Sequence, residues 1–134
     1  VEKIRAAKGL PAKFDIVTYV LASVGDDKEA VRGGLKGVAG FYLDAMGTTL
    51  MTGVYDANEQ LQQMIDQDGA TAIAENMPDA WMDWLTIGGT PEDCIQSIRD
   101  LFDAGTSSIV LCLMPTSDID TQIKRFSESV LPNI

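Results

Sequence analysis

Two stretches of the chain are apolar at nearly every position: Phe14 to Val24 (FDIVTYVLASV) and Thr106 to Leu113 (TSSIVLCL). Both are rich in β-branched residues and lack the polar–apolar alternation of a half-solvated strand. They are expected to be parallel strands with both faces covered. Elsewhere the apolar positions recur at the helical period of about 3.6 residues. Lys28 to Met46 places Val31, Leu35, Val38, Tyr42 and Ala45 on one face, Pro91 to Ala104 places Ile95, Ile98, Leu101 and Phe102, and the segment after Asp118 places Ile119, Ile123, Phe126 and Val130. Each of these three stretches predicts an amphipathic helix.

The punctuation agrees with the pattern. Asp26 and Asp27 are candidate caps for the first long helix. Thr90-Pro91-Glu92-Asp93 joins a capping threonine, a proline at the first helical position and an acid three residues after the cap. Gly105 closes that helix and Pro132 the last one. Val1 to Lys8 reads as the end of a helix stopped by Gly9 and Pro11. Between Gly47 and Trp84 the pattern gives short helices (Ala57 to Asp66, Ala70 to Asn76, and one from Pro78), then Leu85 to Ile87 as a short extended piece broken by Gly88-Gly89. The order strand, helix, helical insert at about 47–84, extended turn, helix, strand, helix is that of an α/β fold. Two long strands cannot complete a parallel sheet covered on both faces, and no linker or repeat divides the 134 residues. Since the chain begins with Val1 rather than Met, we treat that end as a cut.

Composition narrows the function classes. The net charge is −10, and the imbalance lies between Gly37 and Ile98, where acids such as Asp44, Asp66, Asp79 and Asp83 face no Lys or Arg at all. Such a surface repels phosphate backbones and anionic membranes, so neither a nucleic acid nor a membrane is an expected partner. No apolar run is long enough to span a bilayer, and a cytoplasmic location is expected. With 0 histidines, this chain cannot supply a Ser-His-Asp triad, a Cys-His pair or a histidine metal site. The 2 cysteines, Cys94 and Cys112, make no disulfide framework and are expected to be reduced and buried.

Candidate chemistry is sparse. Gly88-Gly89-Thr90 is the sharpest local feature. Two glycines admit close backbone approach, and the helix start offers free N–H groups to an anion. Glu92 and Asp93 oppose that anion, and a tight turn with a capped helix explains the same residues. Gly34, Gly37 and Gly40 have the wrong spacing and setting for a nucleotide fingerprint and read as close helix packing. Trp81, Trp84 and methionines such as Met46, Met64 and Met82 read as core or interface. Asp26, Asp27 and Asp44 read as caps or surface acids, and Lys124 and Arg125 as an exposed basic pair. From these residues alone no reaction can be derived.

The order of the motifs says more. Gly89-Thr90-Pro91-Glu92, Ala104-Gly105, Ile109 to Leu113, Arg125-Phe126 and Val130-Leu131-Pro132 together resemble the closing segment of the luciferase-like flavin and F420 oxidoreductases. Asp15 to Val24 with the following Asp26 to Ala30 resembles that family's seventh strand and its Asp-rich helix start. Phe41-Tyr42-Leu43 and Ala74-x-x-Met77-Pro78-Asp79 resemble the methylenetetrahydromethanopterin reductase branch. The resemblance implies the C-terminal part of a (β/α)8 TIM barrel, about its last two strands with the surrounding helices. It implies coenzyme F420, with FMN as the alternative, and hydride transfer to or from a small-molecule substrate. It also implies a homo-oligomer, often a dimer. Barrel sites lie at the C-terminal strand ends, here near Ser23-Val24-Gly25 and Leu113-Met114-Pro115. Gly88, Gly89 and Thr90 are then expected neighbours of the coenzyme. No catalytic residue is carried over, because much of the coenzyme pocket, including the family's cis-peptide bulge, belongs to earlier strands. The chain alone is therefore expected to be inactive, and either to repack, to self-associate or to be the surviving piece of a longer protein. Two further readings stand beside this one: an FMN-dependent luciferase-like monooxygenase, and a non-catalytic α/β module that dimerises through its Met/Trp-rich insert.

Overall fold

The computed structural model describes residues 2–9 and 14–134. Of the sequence expectations, those on Val1 and Pro11 lie outside the described residues. The elements run α1 (Glu2–Ala7), β1 (Val17–Val24), α2 (Lys28–Met46), α3 (Leu50–Gly53), α4 (Asn58–Asn76), α5 (Asp79–Leu85), β2 (Thr86–Gly89), α6 (Pro91–Asp103), β3 (Ser108–Leu113) and α7 (Ile119–Arg125). A widened turn, Phe126–Val130, and a short 3-10 turn, Leu131–Asn133, continue α7 to the end. α4 is broken at Asp68 and Gly69, so the expected pair of short helices is present as two pieces joined by a kink.

The three strands form one parallel sheet in the order β2-β1-β3. β1 meets β3 from Val17↔Ser108 to Ala22↔Leu113, and it meets β2 from Leu21↔Thr86 to Val24↔Gly89. The fold is thus α/β with parallel strands, as expected, but the strands are not covered on both faces: Val17, Tyr19 and Val110 are exposed, and within β1 and β3 burial is confined to Ala22–Val24. One difference is instructive: the short extended turn is a third strand. Four residues suffice because β2 pairs along only the C-terminal half of β1. Among the described residues, Val17 to Val20 have no strand partner on that edge.

Side chains alternate across β1, and each face builds its own core. Ala22 and Val24, with Ile87 of β2, pack under Cys94 and Ile98 of α6 and under Phe126 and Val130. Leu21 points the other way, toward Leu35, Ala39 and Leu43 of α2. Beyond α2, that core continues through Leu61, Met64, Ile73, Trp81 and Met82. Burying one such large side chain is worth about 1.5–3 kcal/mol, so the two clusters hold the layers together.

Two helix faces differ from the sequence expectation. In α2 the buried set is Leu35, Ala39, Gly40 and Leu43, while Tyr42 is exposed. The face is turned because α2 must serve both the sheet and α4. At α7, Ile119 and Ile123 are exposed, and Gln122 is buried in line with Phe126 and Val130. A polar residue takes the inner position because the end of β1 satisfies it completely, as described below. Phe102, expected inward, is 40% exposed, while Cys94 and Ile98 fill the inner face of α6.

Of the three helical glycines read as packing residues, only Gly40 meets another helix. A methyl group there would lie 2.7 Å from the Ala70 carbonyl oxygen and 3.3 Å from Ala74 Cβ, whereas Gly34 and Gly37 face open space.

Candidate functional site

Parallel strands all point their C-terminal ends the same way, and the loops that leave those ends converge. Here they bring together Ser23-Val24-Gly25, Gly88-Gly89-Thr90 and Met114-Pro115. Gly25 N–H donates to the Gly89 carbonyl at 3.0 Å, and Met114 N–H to the Ala22 carbonyl at 2.8 Å, so the pairing continues to the exits of the strands.

Gln122 fixes this end. Its side-chain oxygen accepts from Val24 N–H at 2.9 Å, and its amide nitrogen donates to the Val24 carbonyl at 3.2 Å. Gln122 is 6% exposed, so both bonds replace water that has no access. Arg125, one turn further along, forks onto Asp26 at 3.0 and 3.2 Å and holds that carboxyl below its ordinary range by hydrogen bonding and charge. The basic pair singled out in the sequence therefore gives one member to an ion pair at the start of the β1–α2 loop.

Gly88 and Gly89 are buried within β2. Gly88 lies opposite Ser23, and a methyl group on it would reach 2.5 Å from Leu35 Cδ1. Gly89 has φ +148°, a backbone that L side chains rarely adopt, and it turns the chain into α6. Thr90 is the α6 cap: its hydroxyl accepts from Asp93 N–H, and the Asp93 carboxylate accepts from Thr90 N–H at 3.0 Å. Lys28 Nζ donates to Asp93 at 2.6 Å. The Lys28 hydrogen bond is the first cause of the lowered Asp93 pKa, ahead of the bonds from Thr90. The free N–H groups expected at this helix start are thus partly taken by the protein's own carboxylate. Thr90→Ala should cost about 1 kcal/mol of stability in urea unfolding, the usual value of a lost cap; a loss below a few tenths would deny the cap its role.

The cations of α2 are committed in the same manner. Arg32 pairs with Asp83 and Lys36 with Asp79, so with Lys28–Asp93 three successive rungs tie α2 to α5 and α6. Asp79 is held below its ordinary pKa chiefly by the Lys36 hydrogen bond. Depressed carboxylates contribute stability above the ordinary Asp range, and this is lost as pH falls through the folded values.

Both cysteines are free; Cys94 is buried as expected, but Cys112 is only half-buried. Burial, helped by the Asp93 charge, pushes the Cys94 thiol up to about 12 against the Gly89 backbone hydrogen bond. Ellman's reagent at pH 8 should therefore titrate Cys112 in the folded chain and reach Cys94 only on unfolding; two equivalent fast thiols would contradict the buried placement.

Two concave surfaces adjoin the sheet. A cavity of about 350 Å³ opens at the C-terminal strand ends, between Ser23, Val24, Gly34, Val38, Met114 and Gln122. An apolar groove of about 320 Å³ runs lower on the same face, between Tyr19, Leu21 and Cys112 and the Tyr42–Met46 side of α2. Trp81 and Met82 are core residues, whereas Trp84 is 42% exposed and stacks on Tyr55 at 4.5 Å. Among the described residues, no group of three or more acids and cysteines could hold a metal ion, and no helix is long and apolar enough to cross a membrane.

Sequence comparison finds a relative in 5,10-methylenetetrahydromethanopterin reductase of Archaeoglobus fulgidus, 24% identical over 128 residues, covering 90% of this chain and 39% of the relative. No family model matches the chain. Among solved structures, the coenzyme F420-dependent tetrahydromethanopterin reductase of Methanopyrus kandleri superposes with a TM-score of 0.73 at 19% identity, covering 98% of this chain and 39% of that one. The resemblance read from the sequence therefore holds, and the fold is that of part of a TIM barrel. The chain spans about two fifths of the length of the proteins it matches.

Proposed function

We propose that this chain is the C-terminal portion of an F420-dependent oxidoreductase. The observation that carries the reading is the match in sequence and in fold to reductases over nearly the whole chain, with the converging strand ends at the barrel's usual site. Reduced F420, when bound, supplies a hydride to an organic substrate. The residues here fit a supporting share of that task. The cavity at the strand ends is lined mainly by apolar residues, with Ser23 and Gln122 beside them, a wall that can orient a ligand and exclude water. Gly88, Gly89 and Thr90 act as neighbours of the coenzyme site by holding the exit of β2 and the start of α6 against β1. Anionic parts of a coenzyme need cations from elsewhere, because Lys28, Arg32, Lys36 and Arg125 are all ion-paired.

The test is coenzyme titration by absorbance, on this chain and on a preparation that also carries the preceding residues of its reading frame. The longer protein is expected to bind F420 and not FMN, and the 134 residues alone to show no turnover. FMN binding without F420 binding would turn the reading into the monooxygenase.

A second reading, a dimerising module, is favoured by one observation. Leu50, Met51, Val54 and Tyr55, in and beside α3 of the helical insert, are exposed between 47% and 93%. Sedimentation velocity should show concentration-dependent association that Leu50→Asp with Val54→Asp abolishes; a monomer at all concentrations removes this reading.

A further inference from the structure

We infer, on the reading of this chain as part of a longer barrel protein, that the open half of the β1 edge, Val17 to Val20, takes a further strand of that protein, and that this strand brings a basic side chain to Asp100. The edge of β1 is then shared end to end by two segments: β2 beside the strand exits, and the incoming strand below it.

Backbone directions define the slot. The Ala22 carbonyl faces β3, where it accepts from Met114 N–H, and Gly25 N–H faces β2, where it donates to the Gly89 carbonyl. These directions alternate along a strand, so the odd-numbered residues of β1 aim their N–H and C=O groups at the β2 side. On that side β2 begins at Thr86, opposite Leu21. It cannot run further back, because Asp79–Leu85 is helix α5. The backbone groups of Val17 and Tyr19 therefore point at an edge where no described residue pairs with them. A cavity of about 480 Å³ lies there, and it touches Thr18, Tyr19 and Val20 in succession. Successive side chains leave a strand on opposite faces, so a space that meets three in a row runs along the edge rather than over one face. Such an edge is a template for strand addition.

The walls set the chemistry of the occupant. α6 contributes Leu101 and Asp100. Leu101 and Val20 pack on the same core cluster, so the incoming side chain beside them is apolar. Asp100 accepts from the Gln96 amide at 2.7 Å and forms no ion pair among the described residues. Asp83, on the α5 wall, is already paired with Arg32. No Lys or Arg lines the slot, so a basic side chain arriving on the α6 face finds a carboxylate that has no cation. A second copy fits poorly, because its own edge would set Asp83 and Asp100 against the same two acids. The reductases matched above are longer proteins of which this chain covers 39%, so most of such a protein remains to supply the strand.

The test is amide hydrogen exchange by ¹H–¹⁵N NMR, without F420. In the 134-residue chain, Val17 and Tyr19 should exchange at least about ten-fold faster than Leu21 and Ser23, whose N–H groups face β2. In a preparation that also carries the preceding residues of the reading frame, all four should be slow. Asp100→Lys in that longer protein should speed Val17 and Tyr19 by about two- to five-fold, the worth of an exposed ion pair. Asp103→Lys, an exposed acid of α6 outside the slot, should leave them unchanged. A capped peptide of alternating valine and lysine should slow Val17 and Tyr19 in the 134-residue chain and not bind the longer protein, and its glutamate counterpart should bind at least about ten-fold more weakly. Fast exchange of Val17 and Tyr19 in the longer protein, or equal responses to the two peptides, would overturn the inference. So would concentration-dependent protection of the 134-residue chain without peptide, which would assign the slot to a second copy. A longer protein that protects these amides but binds no F420 would refute the coenzyme reading alone; one that binds F420 and leaves them fast would refute the strand alone.

Discussion

Gln122→Leu should destabilise the chain by roughly 2–5 kcal/mol, since each buried backbone group left unpaired costs about 1–3 kcal/mol. The substitution keeps the apolar stem and removes both hydrogen bonds to Val24. Water cannot replace them, because Val24 and Gln122 are each nearly fully buried. Gln122→Glu separates the two contributions: a carboxylate still accepts from Val24 N–H but cannot donate to the Val24 carbonyl. Urea unfolding followed by circular dichroism gives the ordering. A leucine variant within about 0.5 kcal/mol of the wild type would show that the clamp is dispensable, below the cost of even one orphaned group.

The second large effect is a sign reversal within one helix. Gly40→Ala should destabilise by about 1–3 kcal/mol, as overpacking does, even after the gain of about 1 kcal/mol in helix propensity. Its methyl group would sit 2.7 Å from the Ala70 carbonyl oxygen, a backbone atom of α4 that can move only with its helix. Gly37→Ala, one turn earlier, meets nothing within 4 Å and should stabilise by up to about 1 kcal/mol. Thermal and urea unfolding of both variants decides the matter. Equal effects would mean that α2 and α4 do not cross at Gly40.

The acidic balance has a structural counterpart. α2 carries Lys28, Arg32 and Lys36 one turn apart, and each is spent on an aspartate of α5 or α6. Exposed pairs of this kind contribute little singly. Their consequence is local: they tie α2 to α5 and α6, while the lining at the strand ends carries no charged side chain.

The sequence by itself determined what depends on near neighbours. The apolar runs of β1 and β3 declared parallel strands, because a strand built to be covered on both faces needs apolar residues at both parities, but in this chain only Ala22–Val24 of them are buried. Thr90-Pro91-Glu92-Asp93 declared its helix start, because capping closes within three residues, and of the two candidate caps Asp26 and Asp27 the structure uses Asp27. The same local motifs, taken in order, carried the resemblance to the reductase barrel. Tertiary structure decided the rest. Thr86–Gly89 is too short to announce a strand, and only pairing with Leu21–Val24 makes it one. Which of three helical glycines is packed depends on where α4 crosses. A glutamine took an inner position that hydrophobic spacing gave to Ile123, because a backbone segment 98 residues away in sequence needed its amide. The cavity at the strand ends was equally out of reach, because its lining comes from β1, α2, Met114-Pro115 and Gln122. Which residues share such a wall depends on strand register and on where the neighbouring helices lie, and those are long-range quantities that no local window contains.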